Sequence, residues 1–218
     1  MSLWPATLSW RLNGKEFSVT SAELNYEALA LTLFDIGAVK LGKFKLHSGK
    51  SSHIYLDLRI LVSYPDALRQ VTTAYRSLLD NLTFDLLAAT PLAGLPIGTA
   101  LCLDMDVPLI YPRKSAKSYG TGKSIEGRWQ VGQTVVVVDD LVTSGDSILE
   151  AIVPLKAAGL HVSDAVVLID RGQGGVKKLA DEGYRLHSVI NLKYVLAVLE
   201  EQGRITAEAH AKALASLD

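Results

Sequence analysis

The feature that most constrains this chain is the stretch 135–147. It opens on four consecutive valines, and an unbroken β-branched run is typical of a strand buried on both faces, as in a parallel sheet covered by helices. The strand is predicted to stop at Asp139 and Asp140. A short polar loop, 143–147, then leads into apolar residues at helical spacing from Ile148. In open α/β sheets this kind of strand-to-helix crevice is where ligands bind.

The two halves of the stretch suit different chemical groups. Loop 143–147 offers backbone N–H groups and hydroxyls at a helix N-terminus, which favours a phosphate. Asp139 and Asp140 would repel a phosphate but can accept hydrogen bonds from neutral hydroxyls. A sugar phosphate with free ring hydroxyls satisfies both halves. A core strand followed by an aspartate helix cap is the alternative; it would account for the valine run alone, whereas the complete string favours a ligand site.

The thirteen residues 135–147 resemble the phosphoribosyl pyrophosphate (PRPP) signature of the type I phosphoribosyltransferases. The resemblance implies that Asp139 and Asp140 hold the 2- and 3-hydroxyls of the ribose, with Asp140 acting as a ribose holder rather than as a base. The last five residues, Thr143 to Ser147, would wrap the 5-phosphate. The resemblance also implies PRPP contacts from all the signature residues after the aspartates: Leu141, Val142, Thr143, Ser144, Gly145, Asp146 and Ser147.

The segment 41–59 narrows the family. Ser21 is predicted to cap a helix ahead of it, and two strand-like pieces then flank a Ser/Gly/Lys turn. The run from Phe44 through Gly49 resembles the N-terminal hood of orotate phosphoribosyltransferases. That resemblance places His47, Ile54, Tyr55 and Thr143 on the orotate side of the site. His47 stands where the family usually has lysine, and a polar surface histidine is the alternative for it.

A long cationic connection, 112–127, precedes the central strand by one element. Four cations alternate there with small residues, which is typical of a mobile, anion-seeking loop; a solvated charged loop is the alternative. It resembles the flexible loop of orotate phosphoribosyltransferases, in the tyrosine version found in eukaryotic UMP synthases. The resemblance implies that the loop closes over the partner subunit's site in a homodimer. Arg113, Lys114 and Lys117 would neutralise pyrophosphate, and Tyr119 would line the closed site.

Two further loops follow buried strands. Leu92 and Ala93 lie in a turn before a helix, and the resemblance places the pyrophosphate there. The family often carries an aromatic residue and a lysine at these two positions, so only backbone contacts would remain. Arg171 follows a buried strand in a glycine-rich loop, a position suited to an anionic planar ligand. The resemblance gives it a contact with orotate, and a surface ion pair is the alternative.

Composition bounds the remaining possibilities. The chain has 218 residues, a net charge of -1 and one cysteine, which argues against a general nucleic-acid binder, a disulfide framework and a cysteine-based zinc site. No apolar run of membrane-spanning length or signal peptide is present, so a cytoplasmic protein is expected. Residues 1–20 are predicted to form an accessory hairpin around Asn13-Gly14. Residues 21–218 would form the phosphoribosyltransferase domain, with a hood at 21–60 and a core from about 64.

Strands and helices alternate between Phe84 and Ile190, which predicts an α/β fold: a central parallel sheet with helices on both faces. The implied reaction converts orotate and PRPP to orotidine 5-monophosphate and pyrophosphate, with Mg²⁺ carried by PRPP and water and no direct protein ligand. His47, Leu92 and Ala93 leave open a phosphoribosyltransferase for another base. A non-catalytic PRPP-binding regulator is a second alternative, which the cationic loop disfavours. Fusion to an orotidylate decarboxylase domain is also left open.

Overall fold

A computed structural model describes residues 7–12, 15–20, 25–45, 51–113 and 124–217. Four of the candidate residues, namely His47, Lys114, Lys117 and Tyr119, lie outside these ranges. The strands are Thr7–Leu12 (β1), Lys15–Thr20 (β2), Val39–Lys45 (β3), Ser51–Leu56 (β4), Leu86–Ala89 (β5), Leu109–Pro112 (β6), Ile125–Glu126 (β7), Thr134–Val142 (β8), His161–Asp170 (β9) and Arg185–Asn191 (β10). The α-helices are Tyr26–Asp35 (α1), Pro65–Leu79 (α2), Gly94–Met105 (α3), Asp146–Ala157 (α4), Gly175–Asp181 (α5), Leu192–Glu201 (α6) and Ala207–Leu214 (α7).

The central sheet has the strand order β10-β9-β8-β5-β6-β7. All neighbouring pairs from β10 to β6 are parallel, and β7 adds an antiparallel edge. The parallel sheet predicted from the sequence is therefore confirmed. β8, which carries the valine run, lies inside the sheet between β9 and β5, so its backbone is paired on both sides.

The valines of β8 alternate between two apolar cores. Val136 and Val138 pack into the core that includes α2 and α3, whereas Val135 and Val137 pack against α4 on the opposite face. Each of the four is at most 1% exposed. Complete burial of such a side chain is worth roughly 1.5–3 kcal/mol. Helices on both faces thus explain why the strand has no polar face, as the sequence predicted.

The central strand is longer than its sequence indicates. β8 does not end at the two aspartates; it continues to Val142, because Asp139, Leu141 and Val142 still pair with β9. The prediction that the strand stops at the carboxylates is therefore wrong. The consequence is that Asp139 and Asp140 belong to the hydrogen-bonded ladder of the sheet, which holds their backbone more rigidly than a loop would.

The predicted hood contains a hairpin: β3 and β4 pair antiparallel, with a register irregularity between Leu41 and Phe44. Helix α1 precedes it and begins later than expected. Its cap is Asn25 rather than Ser21, since the Asn25 side chain accepts a hydrogen bond from the N–H of Ala28 at 2.9 Å. A 3₁₀ helix, Leu58–Ser63, follows β4 and leads into α2; the sequence did not predict it.

At the N-terminus, β1 and β2 pair antiparallel in a register that runs from Thr7 opposite Thr20 to Leu12 opposite Lys15. This pairing surrounds the Asn13-Gly14 position from which a hairpin was predicted. The division of the chain into an accessory segment and a larger domain remains a prediction. Within the described ranges, none of the helices is long and apolar enough to cross a membrane.

Candidate active site

A cleft of about 350 Å³ opens at the carboxyl end of the central sheet. Three parts of the chain meet there: the end of the hood, the loop after β5, and the passage from β8 into α4. The lining residues that the sequence had singled out are Tyr55, Leu92, Ala93, Asp139, Asp140, Leu141, Val142, Thr143, Gly145 and Ser147. The fold therefore brings most of the described candidates together at the topological position where α/β proteins bind ligands.

The two carboxylates are held by the sheet and by a buried tyrosine. Asp139 is only 7% exposed, and its Oδ1 accepts a hydrogen bond from the N–H of Asp140 at 2.9 Å. Its carbonyl oxygen accepts the hydroxyl of Tyr75 at 2.6 Å. Tyr75 comes from α2 and is fully buried. Nothing in the sequence connected Tyr75 with the aspartates, because Tyr75 and Asp139 are 64 positions apart.

Burial and crowding of negative charge change the acidity of the pair. Burial, and next the charge of Asp139, raise the pKa of Asp140 from its ordinary value to about 7. Hydroxyl donors or a cation would stabilise the ionised form of a carboxylate in this position. The arrangement is thus suited to a diol, or to a diol that arrives with a divalent ion.

We expect this raised pKa to make the ligand-free protein less stable as the pH rises from 4 to 7. In that window the folded state keeps a proton on Asp140 that the unfolded chain has lost, so each step upward in pH favours unfolding. Above pH 7 the loss is constant. Denaturant unfolding across pH 4–8 should show the free energy of unfolding of the wild type falling by an amount on the order of 2–4 kcal/mol. In Asp140→Asn this fall should be absent. An identical slope in both proteins would contradict the assignment.

The loop from β8 to α4 has the form of an anion site. Gly145 caps α4 with a φ of +86°, a left-handed conformation that glycine adopts without strain. Thr143, Gly145 and Ser147 line the cleft, and the first N–H groups of an α-helix have no partner within the helix. Ser144 and Asp146 do not line the cleft; the Ser144 hydroxyl donates to the Asp146 carboxylate, which also contacts Lys178.

The loop after β5 lies directly against the aspartates. A Cβ at Gly94 would sit 2.8 Å from the carbonyl oxygen of Val138 and 3.3 Å from the Cα of Asp139, so only glycine permits this approach. Ahead of it, Leu92 and Ala93 line the cleft, and Leu92 is 69% exposed. Neither side chain can bond an anion, which leaves the backbone of this loop as its polar surface toward the cleft.

Arg171 occupies the position expected from the sequence but does not line this cleft. Its backbone N–H donates to the carbonyl of Val142 at 3.1 Å, which fixes it beside the end of β8. Its Nε and Nη2 are buried and have no hydrogen-bond partner among the residues that the structure describes. Burial also lowers the pKa of its guanidinium. The predicted alternative, a surface ion pair, has no counterpart in these described contacts.

The hood contributes one predicted residue and one that the sequence did not single out. Tyr55 lines the cleft, and its hydroxyl accepts a hydrogen bond from Nη2 of Arg59 at 3.1 Å. Arg59 also lines the cleft and bonds Asp57 at 2.7 Å. Its place shortly after the hood strand β4, in the 3₁₀ helix Leu58–Ser63, was the available signal. Ile54 has a side chain that is 0% exposed in the core, so any ligand contact from it must use its backbone.

Arg113 is predicted to neutralise pyrophosphate, and in this structure its guanidinium pairs with Glu126 at 2.5 Å. Its N–H also donates to the carbonyl of Ser124 at 2.9 Å. These bonds join the two ends of the segment 114–123, which lies outside the described residues. Among the described side chains, no group of three or more His, Cys, Asp or Glu is placed to hold a metal ion.

Comparison with known proteins adds the family context. The model of the phosphoribosyl transferase domain matches residues 61–193. The chain is 44% identical to the bifunctional enzyme PyrF/PyrE of Nostoc sp., over 83% of this chain and 38% of that protein. It is 41% identical to the uridine 5'-monophosphate synthase of Bos taurus, over 87% of this chain and 40% of that protein. It is 40% identical to the orotate phosphoribosyltransferase of Pyrobaculum aerophilum, over 77% of this chain and 87% of the relative.

Solved structures agree. The UMP synthase of Leishmania donovani superposes with a TM-score of 0.82 at 42% identity, covering 88% of this chain and 42% of that chain. The orotate phosphoribosyltransferase of Aeropyrum pernix gives a TM-score of 0.72 at 36% identity, covering 82% and 99%. The chain thus spans about two fifths of the longer relatives and most of the shorter ones.

Proposed function

The chain belongs to the phosphoribosyltransferase family and, within it, to the orotate phosphoribosyltransferases, and from that membership we propose that it transfers the phosphoribosyl group of PRPP to orotate. The products are orotidine 5-monophosphate and pyrophosphate, and the reaction belongs to pyrimidine synthesis. The observation that carries the proposal is the meeting, in one cleft, of the aspartate pair of β8 and a glycine-capped helix N-terminus. Together they match the two chemically different ends of a ribose phosphate.

Each part of the cleft has one task in this reaction. Asp139 and Asp140 accept hydrogen bonds from the ribose hydroxyls, and loop 143–147 binds the 5-phosphate through its backbone and hydroxyls. Backbone groups at Leu92 and Ala93 bind pyrophosphate. The hood strand is proposed to hold orotate, with Arg171 reaching it from beside the cleft at the end of β8. The assignments of individual residues are proposals from the family resemblance and from the geometry of the cleft.

The chemistry is a displacement at the anomeric carbon. The bond from this carbon to pyrophosphate breaks as the bond to the orotate nitrogen forms, with positive charge on the ribose in the transition state. The proton on this nitrogen is lost in the same displacement, to water or to a pyrophosphate oxygen, so no dedicated general base from the protein is proposed. The protein therefore acts by orienting both substrates and by neutralising the leaving group. Lys117, with Lys114 and Arg113, is proposed to supply that neutralisation.

Mg²⁺ is proposed to enter with PRPP rather than to reside in the protein. Its ligands would be oxygens of PRPP and of water, the hard oxygen ligands that Mg²⁺ prefers, with no direct ligand from the protein. Asp139 and Asp140 would hold the ribose hydroxyls beside it. When bound, it would draw charge from the pyrophosphate oxygens.

A homodimer is proposed on the resemblance of segment 112–127 to a loop that closes over the partner's site. Lys117 and Tyr119 would then act in the neighbouring active site, and the Arg113 to Ser124 contact would hold the base of the loop. A cytoplasmic location remains a prediction from the sequence. The longer relatives extend beyond the part that this chain matches. A partner protein that corresponds to their additional part is included in the same proposal.

The deciding experiment mixes the purified protein with PRPP, Mg²⁺ and one base at a time: orotate, uracil, hypoxanthine or adenine. We expect orotate absorbance to fall with stoichiometric release of pyrophosphate, and no release with the other bases. Pyrophosphate release with a different base would contradict the substrate and favour the alternative suggested by His47, Leu92 and Ala93. No release with any base, together with PRPP binding in a calorimeter, would indicate a non-catalytic binder.

A further inference from the structure

The proposed 5-phosphate loop contains a negative charge of its own. Asp146 is the first residue of α4, and its side chain is 59% exposed. A phosphate bound by loop 143–147 would bring up to two further negative charges to the same turn. Like charges in such proximity weaken binding unless a cation lies between or beside them. The loop therefore needs a compensating group, and the signature itself contains none.

Lys178 supplies that group from another element. Its ammonium contacts one carboxylate oxygen of Asp146, and the Ser144 hydroxyl donates to the other oxygen. The contact with Lys178, followed by the bond from Ser144, lowers the pKa of the Asp146 carboxyl. Lys178 is 32 residues away in the sequence, which is why the motif gave no hint of it.

The position of Lys178 does not depend on the ion pair alone. Helix α5 is pressed against the loop through Gly175, where a Cβ would meet Val142 at 2.5 Å and the carbonyl of Thr143 at 2.7 Å. On the same helix, Leu179 is fully buried beneath Gly145. Packing thus holds α5 next to the phosphate loop, and Lys178 is presented to that loop by the fold.

We propose that Lys178 is a positioning residue for PRPP, which compensates the charge of Asp146 so that loop 143–147 can accept the 5-phosphate. This inference rests on the proposed function and adds a residue outside the signature. Lys178 acts through Asp146, so its removal matters because it leaves a carboxylate uncompensated. Removal of both charges should then restore most of the binding. A lysine that touched the phosphate itself would not show this rescue.

The test is a charge cycle on the full chain. Variants Lys178→Met, Lys178→Arg, Asp146→Ser and the double variant Asp146→Ser/Lys178→Met are compared with Lys177→Met as the matched control. Lys177 lies on the same helix and pairs with Asp181 at 2.6 Å. We expect Lys178→Met to raise KM for PRPP about tenfold. The kcat value and KM for orotate should stay within about twofold, since only phosphate binding is affected.

Recovery of PRPP binding distinguishes charge compensation of Asp146 from a direct contact between Lys178 and the phosphate. Lys178→Arg and the double variant should return KM for PRPP to within about threefold of the wild type, and added salt should reduce the defect of Lys178→Met because exposed charges are screened. A double variant as weak as Lys178→Met, or a Lys178→Met protein no different from Lys177→Met, would overturn the inference. Circular dichroism melts check that each variant is folded.

Calorimetric titration with PRPP and Mg²⁺ gives the same comparison without turnover. If the wild type fails to convert orotate but the pattern of PRPP affinities holds, the proposed substrate is wrong and the inference about Lys178 stands. If orotate is converted normally by every variant at limiting PRPP, the proposed function stands and the inference fails.

Discussion

Replacing Arg171 with methionine is expected to lower kcat/KM for orotate by about two to three orders of magnitude and to change KM for PRPP only a few-fold. The guanidinium has two buried nitrogens without a partner among the described residues, and burial disfavours its charge. Arg171 lies beside the cleft at the end of β8, and a planar anion such as orotate that reaches its guanidinium would satisfy those nitrogens. Removing one partner of a buried, charge-assisted contact typically costs 2–5 kcal/mol, which is the size of the expected loss.

The same variant should be as stable as the wild type, or about 1 kcal/mol more stable, because it removes a buried charge that has no described partner in the ligand-free protein. Lower activity without lower stability separates this role from a structural one. Arg171→Lys should rescue poorly, since an ammonium cannot reproduce the planar fork of guanidinium. Arg185→Met is the control. Arg185 begins β10, at the end of the sheet opposite to Arg171, and pairs with Asp164. Near-normal orotate kinetics in Arg171→Met would remove the arginine from the site.

Lys117→Ala should lower kcat by about three orders of magnitude and leave PRPP affinity within a few-fold. Charge accumulates on the leaving pyrophosphate only as its bond breaks, so a cation that meets it in the closed state stabilises the transition state far more than the bound substrate. Rapid-quench turnover at saturating substrates gives kcat, and calorimetry gives the affinity. Lys123→Ala, in the same segment, is the control and should stay within a few-fold. Near-normal turnover of Lys117→Ala would take the loop out of the mechanism.

Mixing two variants tests whether the loop works across a dimer: Lys117→Ala lacks the loop cation, and Asp140→Asn, which alters the pair that holds the ribose, is expected to be nearly inactive as well. When Lys117→Ala is combined with Asp140→Asn, a mixed dimer holds one site with an intact aspartate pair and an intact loop from its partner. Random exchange of subunits should then restore up to about a quarter of wild-type activity. No recovery, with exchange verified by mass spectrometry, would place each loop over its own site.

The sequence predicted the part of the site that is local in the chain. The valine run, the aspartate pair and the turn into α4 follow one another within residues 135–147, so patterns of periodicity and turn chemistry are sufficient to find them. It misplaced the end of β8 because aspartates are poor strand formers, and only the pairing of Asp139, Leu141 and Val142 with β9 keeps them in the ladder.

What the sequence missed is long-range. Tyr75 and Lys178 reach Asp139 and Asp146 from helices 64 and 32 positions away, and neither belongs to a motif. Arg59 was visible beside the hood strand, but its contact with Tyr55 depends on the 3₁₀ turn after β4. Such partners are chosen by packing, which a single sequence does not record. Only the folded chain brings them to the site.

The extension of β8 through both aspartates has a consequence for how fast the protein is degraded in the cell. Because these carboxylates sit on an interior strand of the sheet, the site cannot open without disturbing the part of the chain whose amides should exchange most slowly with solvent. Ligand binding to the folded state alone adds RT ln(1 + [L]/Kd) to the stability of that unit. The central sheet would then resist proteolysis more strongly when PRPP is abundant than when PRPP is scarce.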